Sequence, residues 1–223
     1  MKELYQELIR INQMADDSRK EAKARSFFNT LNQKPLPDRF NWAEQIFEDF
    51  HVKEHPEKTA LIWHDIHTGD TRSFTYLEMM QKANQLVNFL SENGLGNKQN
   101  MYMMAPVVPE MWFAGLACIK AGIVAVPTAT TMTPREMEYR FETYPPDVVM
   151  ADEASAEFID QAAEQTGIHP KIKLVLGTRE GWTGFDEIFR QPMTAPAAPT
   201  RPDDILFCFF TSGTTGLPKR VGH

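Results

Sequence analysis

Apolar residues in the first 33 positions form a sparse stripe, Leu4, Leu8, Ile11 and Met14, in an otherwise polar stretch. Their three- and four-residue spacing predicts one long helix over residues 2–33, ended by Pro35 and Pro37, which cannot continue it. The stripe offers an edge to the main body or to a partner subunit, and spacing alone does not choose. A second helix is predicted from Asn41, with Trp42, Ile46, Phe47 and Phe50 on one face.

From about residue 58 the pattern alternates between short β-rich runs and helical runs. Thr59 to His64 and Asp70 to Phe74 read as a hairpin across a turn at Gly69,. Thr75-Tyr-Leu-Glu78 has the form of a capping box, so a helix should start there, bury Met79, Ala83, Leu86, Val87 and Leu90, and end near Gly94. Strands are predicted at Met101–Ala105, Ile123–Val126, Val148–Ala151, Ile172–Leu176 and Ile205–Phe210. Helices are predicted at Pro109–Ala121, after a second capping box at Thr133–Glu136, and near 153–166 and 184–190,. Strands joined by helical crossovers mean an α/β fold with a mostly parallel sheet flanked by helices. Pro192 to Pro202 holds four prolines and reads as an extended surface connection, with a proline-rich docking motif as the lesser alternative. The expected organisation is a helical leader, residues 1–37, and one α/β unit, residues 38–223.

Composition narrows the class only a little. With 42% hydrophobic and 24% charged residues the chain is an ordinary globular sequence. Its densest apolar run, Met111 to Val126, is interrupted by Lys120, so no membrane span is expected. The N-terminus lacks the apolar core of a secretory signal, and Asp16, Asp17 and Glu21 argue against a transit peptide; the expected location is cytoplasmic. A net charge of −7 with scattered basic residues counts against a nucleic-acid partner. Cys118 and Cys208, far apart in apolar segments, read as buried hydrophobes. The six histidines show no paired spacing and read as surface or strand residues; no Cys/His cluster has zinc spacing.

The stretch with chemical content is Thr211-Ser-Gly-Thr-Thr-Gly-Leu-Pro-Lys219. It follows an apolar run, and ligands of open α/β sheets sit at strand ends. Gly213 and Gly216 permit close backbone approach. Thr211, Ser212, Thr214 and Thr215 supply hydroxyls, and Lys219 adds a mobile charge; with backbone N–H groups these make a nest for a polyphosphate. A Walker loop is excluded, since two residues separate the glycines and Leu217-Pro218 precede the lysine,. A dinucleotide fingerprint is excluded because Gly94-Leu-Gly96 lacks the third glycine.

The nine positions Thr211 to Lys219 resemble the signature phosphate loop of the adenylate-forming (AMP-binding) enzymes. Phe74-Thr-Tyr-Leu-Glu78 with Ala83-Asn84, and Cys118-Ile-Lys-Ala-Gly-Ile-Val-Ala-Val-Pro127, resemble two further motifs of that family in the same order. The resemblance spans roughly residues 40–223, with Cys208 a mild departure in the strand before the loop. Phe40-Asn-Trp-Ala-Glu and the closing Gly-Leu-Pro-Lys-Arg-Val-Gly-His look most like medium-chain acyl-CoA synthetases. The resemblance implies ATP-dependent activation of a short- to medium-chain, branched or aromatic carboxylate to an acyl-adenylate, then transfer to coenzyme A. ATP phosphates would be held by Thr211, Ser212, Gly213, Thr214, Thr215, Gly216, Leu217, Pro218 and Lys219, with Mg²⁺ accompanying ATP. Thr131, after Pro127, would be a coenzyme A contact. The family's later motifs (aromatic-Gly-x-Thr-Glu, a ribose-binding aspartate, a hinge and a C-terminal lysine) are not in this sequence. The isolated chain is therefore expected to be inactive and to expose apolar surface; a homo-oligomer is compatible with the pattern. Transfer to a carrier-protein thiol, and a truncated nucleotide- or partner-binding product, are the alternatives.

Overall fold

The computed structural model describes residues 2–211 and 217–223. The leader is two helices rather than one, α1 (Lys2–Asn12) and α2 (Asp17–Leu31). Asp16 causes the break: its backbone is extended and its side chain accepts from the Arg19 N–H, capping a new helix,. α1 lies on the body. Ile11 is buried, Tyr5 meets the Phe50 ring edge-on at 5.3 Å, and its hydroxyl bonds His51 Nε2 at 2.9 Å. α2 buries no residue.

Residues Ala43–Val52 form a π-helix burying Ile46, Phe47 and Phe50, while Trp42 stays partly exposed. The buried Asn41 side chain anchors its start, donating to the carbonyls of Ile119, Lys120 and Ala198 and accepting from Glu44 N–H. β1 (Thr59–His64) and β2 (Thr71–Thr75) pair antiparallel, with Gly69 at φ 80° in the connection. α3 (Tyr76–Glu92) starts with both halves of its capping box formed and buries the five predicted apolar residues.

The central sheet is parallel, in the order β4-β3-β5-β6-β7, from β3 (Asn100–Met104), β4 (Val124–Pro127), β5 (Val148–Asp152), β6 (Ile172–Leu176) and β7 (Thr183–Gly184). α4 (Pro109–Ala121), α5 (Pro134–Thr143), α6 (Glu153–Thr166) and a 3₁₀ turn at Phe185–Arg190 cover it. Alternation along the strands divides the core in two. Met101, Met103, Ala125, Val148 and Met150 face α3, α4 and the π-helix, while Tyr102, Met104, Val126, Val149 and Ala151 face α5 and α6. Buried on both faces, such strands read as continuous apolar runs. Gly122 caps α4 at φ 68°; a Cβ there would lie 2.7 Å from Asn97 Oδ1 and 2.8 Å from Thr200 Cγ2, so both the left-handed turn and the close approach require glycine.

The predicted strand Ile205–Phe210 is not a member of this sheet. Leu206 and Phe207 touch the edge strand through an Ala125 N–H bond to Leu206 O and a single bridge. The chain then peels away as β8 (Cys208–Thr211), pairing antiparallel with β9 (Lys219–Gly222), a strand the sequence pattern did not indicate. The end of the phosphate-loop motif is itself β structure because the chain doubles back on its own stem. The proline-rich stretch 192–202 is an extended strap. Asn84 and Asn88 donate to the carbonyls of Met193, Pro192 and Thr194, and Ala198 N–H donates to Lys120 O. Among the described residues no helix is long and apolar enough to cross a membrane.

Candidate functional site

Thr211, Leu217, Pro218 and Lys219 are described; Ser212, Gly213, Thr214, Thr215 and Gly216 lie outside the described residues. The hairpin register sets Thr211 opposite Lys219, Phe210 opposite Arg220 and Phe209 opposite Val221. Opposed residues of an antiparallel pair share a face, and successive ones alternate. Cys208 and Phe210 turn into the core beneath α5 and α6. Phe209, Thr211, Lys219 and Val221 therefore share the outer face, and all four are exposed or nearly so. Thr211 Oγ1 donates to Lys219 O at 3.5 Å, closing the neck of the motif. The fold thus brings the first hydroxyl and the lysine of the stretch to one solvent-facing edge.

Thr131 stands in the loop after β4. It is exposed and lines a cavity of about 410 Å³ with Pro106, Val107, Pro127, Thr128 and Phe209. The cavity lies outside the carboxyl ends of β3 and β4. That is the end of a parallel sheet at which ligands of open α/β folds bind. Phe209 joins this cavity to the hairpin face carrying Thr211 and Lys219. A second groove of about 430 Å³, lined by Trp42, Met79, Met103, Met111, Trp112 and Phe207 among others, is almost wholly apolar; Trp112 at its rim is 53% exposed.

Several side chains around this edge carried no signal legible in sequence. Tyr139 of α5 donates its hydroxyl to Pro218 O at 3.0 Å, and the Arg140 guanidinium carbon lies 4.5 Å from the Phe210 ring centroid. Arg220 sits at the same 4.5 Å over the Tyr144 ring. Burial pushes the Arg140 guanidinium below its ordinary range and the Tyr144 phenol above it. His51 also departs from the surface reading: it stacks on Tyr76 at 4.6 Å with the rings 5° apart, and burial lowers its pKa. Lys120 is buried, with Nζ 2.7 Å from both Glu48 Oε2 and Asn84 Oδ1. Both cysteines are buried and free.

The sequence model of the AMP-binding enzyme family matches residues 49–223. This chain belongs to that family. The AMP-binding chain is 38% identical over 208 residues to 4-hydroxybutyrate–CoA ligase 1 of Metallosphaera sedula, a match covering 88% of this chain and 36% of the relative. It is 27% identical over 195 residues to the human mitochondrial acyl-coenzyme A synthetase ACSM3, covering 84% of this chain and 33% of that protein. Among solved structures, the anthranilate CoA ligase AuaEII in complex with anthranoyl-AMP superimposes with TM-score 0.75 at 27% identity, over 84% of this chain and 35% of that one. A benzoate CoA ligase of Burkholderia xenovorans LB400 gives 0.67 at 25% identity, over 82% and 34%. The chain thus spans about a third of the length of the curated relatives it matches, and its fold is that of the adenylate-forming CoA ligases.

Proposed function

We propose that this chain is the N-terminal part of an AMP-forming acyl-CoA synthetase. The enzyme converts a short- to medium-chain, branched or aromatic carboxylate to an acyl-adenylate and transfers the acyl group to coenzyme A. The observation that carries the reading is the polyphosphate stretch 211–219, whose Thr211 and Lys219 meet on one exposed face. The named relatives, CoA ligases of 4-hydroxybutyrate, anthranilate and benzoate, support the substrate range. Attack of the carboxylate on the α-phosphate of ATP releases pyrophosphate, so a loop holding the β- and γ-phosphates stabilises the leaving group by position and charge. Lys219 would counter that charge, Thr211 would supply a hydroxyl, and Ser212 to Pro218 would complete the cradle. Thr131, on the neighbouring cavity, would face coenzyme A. Mg²⁺ would accompany ATP.

In this reading residues 1–37 are a leader and 38–223 an incomplete AMP-binding domain, and the apolar groove beside Trp112 is covered by the remainder of the enzyme. The test is ATP–pyrophosphate exchange across carboxylic acids with the whole protein, beside ATP binding and thioester formation by the isolated chain. We expect the chain alone to bind ATP without making thioester. In the whole protein Lys219→Ala should cost about 1.5–3 kcal/mol in kcat/KM for ATP, the worth of a hydrogen bond to a charged group. Thioester formation by the chain alone would overturn the incomplete-domain reading, and unaltered kinetics of Lys219→Ala would remove the lysine from the site.

A further inference from the structure

We propose that α5 positions the polyphosphate hairpin: Tyr139, Arg140 and Tyr144 grip both of its strands and so set the separation of Thr211 and Lys219. The inference rests on the polyphosphate reading of residues 211–219.

A two-stranded ribbon with four-residue strands has little stability of its own. Among the described residues its backbone attachment to the central sheet is slight, the Ala125 N–H bond to Leu206 O and one bridge between Ala125 and Phe207. The grip from α5 is more specific. Phe210 and Arg220 are directly opposed in the ribbon, and each is held by a reciprocal contact: the cation of Arg140 on the Phe210 ring, and the ring of Tyr144 under the cation of Arg220. One cross-strand pair is thus fixed from both sides. The Tyr139 hydroxyl then ties the carbonyl of Pro218, the residue just before Lys219. These contacts all use the inner face, so the outer face keeps Thr211 and Lys219 clear for a ligand.

Helix α5 is itself tied at both ends. Its capping box at Thr133 begins two residues after Thr131, and at its far end the buried Tyr102 hydroxyl donates to Tyr144 O at 2.8 Å. Met137 and Phe141 seat it in the core. The helix therefore references the hairpin to the sheet and to the Thr131 loop at once, the arrangement needed to hold a first layer of ligand contacts in place. Arg140 Nη1 is buried with no hydrogen-bond partner among the described residues, and the guanidinium lies against the Phe210 ring. The three are positioning residues, with no role in touching the reacting atoms.

The test uses the chain with Tyr139→Phe, Arg140→Met and Arg140→Lys. Residue-resolved hydrogen exchange and calorimetric titration with inorganic pyrophosphate are both measured. Tyr139→Phe removes only a hydroxyl, and Arg140→Met retains much of the volume without the charge. Both should speed exchange of the amides at 208–211 and 219–222 by about five- to tenfold and weaken pyrophosphate binding by about the same factor. Amides of α5 and β3 should be unaltered, and Arg140→Lys should restore part of the loss. Unchanged hairpin exchange, or equal acceleration of α5 and the hairpin, would overturn the inference. Accelerated exchange with unchanged pyrophosphate affinity would overturn it while leaving the polyphosphate reading intact. A parent chain that binds no pyrophosphate would overturn that reading, and the inference with it.

Discussion

Removing the carboxylate of Glu48 should destabilise the chain more than removing the ammonium of Lys120, although the two form one ion pair. The asymmetry comes from burial. Lys120 is 1% exposed, and its Nζ meets Glu48 Oε2, Asn84 Oδ1 and, at 3.7 Å, Met80 Sδ. The Glu48 side chain is 31% exposed. In Lys120→Met most of the stem volume is kept and Glu48 turns to water. The main loss is then the donor to Asn84 Oδ1, a buried acceptor whose own Nδ2 is committed to Met193 O. An orphaned buried acceptor costs about 1–3 kcal/mol. In Glu48→Ala the ammonium stays in the core with an amide oxygen and a thioether for company, and an uncompensated buried charge costs about 3–5 kcal/mol.

Urea unfolding measures both. At an m-value of about 2–3 kcal/mol/M, Glu48→Ala should lower the midpoint by about 1–2 M and Lys120→Met by about half as much, without a change in slope. The double variant should resemble Lys120→Met alone, because Glu48 has no buried charge left to serve. If Lys120→Met proved the costlier single change, or if the two effects simply added, the account of Lys120 as a desolvated cation held by Glu48 would be wrong.

The remaining predictions are briefer. Burial, helped by the charges of Lys58 and His55 and opposed by Glu54, holds His51 below its ordinary value of 6.5. The unfolded chain then binds more protons than the folded one at acid pH, so this contribution is complete above about pH 6.5 and is lost as pH falls through the folded pKa. His51→Phe should flatten the fall in urea midpoint between pH 7.5 and 5, and an unaltered slope would count against the burial argument. The Cys118 thiol is pushed up to about 12 by complete burial, and Cys208 is raised by burial too. Neither should react with a disulfide reagent at pH 8 until the chain is unfolded, when two thiols should titrate,; rapid modification of the native chain would show the hairpin opening.

What could be read before the structure was whatever local chemistry decides by itself. Pro109 at the start of α4 and Gly122 at its end bounded that helix to the residue. The capping boxes at Thr75 and Thr133 fixed two more helix starts through bonds spanning three residues. The 2–33 helix failed for a reason also present locally, since Asp16 caps a second helix, but the apolar stripe hid it. The family resemblance was carried by the linear order of three motifs, and the match over residues 49–223 has the same origin.

Contacts between distant segments decided the rest. Lys120 reads as an interruption in an apolar run, and only the approach of Glu48 and Asn84 makes it a core residue. His51 reads as a surface histidine until Tyr5 and Tyr76 close around it. The hairpin of β8 and β9 follows from a chain doubling back, and its attachment to Tyr139, Arg140 and Tyr144 joins residues about 70–80 positions apart,. Sequence alone determined most helix bounds, four of the five parallel strands and the residue types offered by the stretch 211–219, because propensity, capping and alternation act over a few neighbouring residues. Tertiary structure alone decided which charge is buried, which ring meets which cation and how Thr211 comes to face Lys219, because those energies exist only once separate segments share the same excluded-water space.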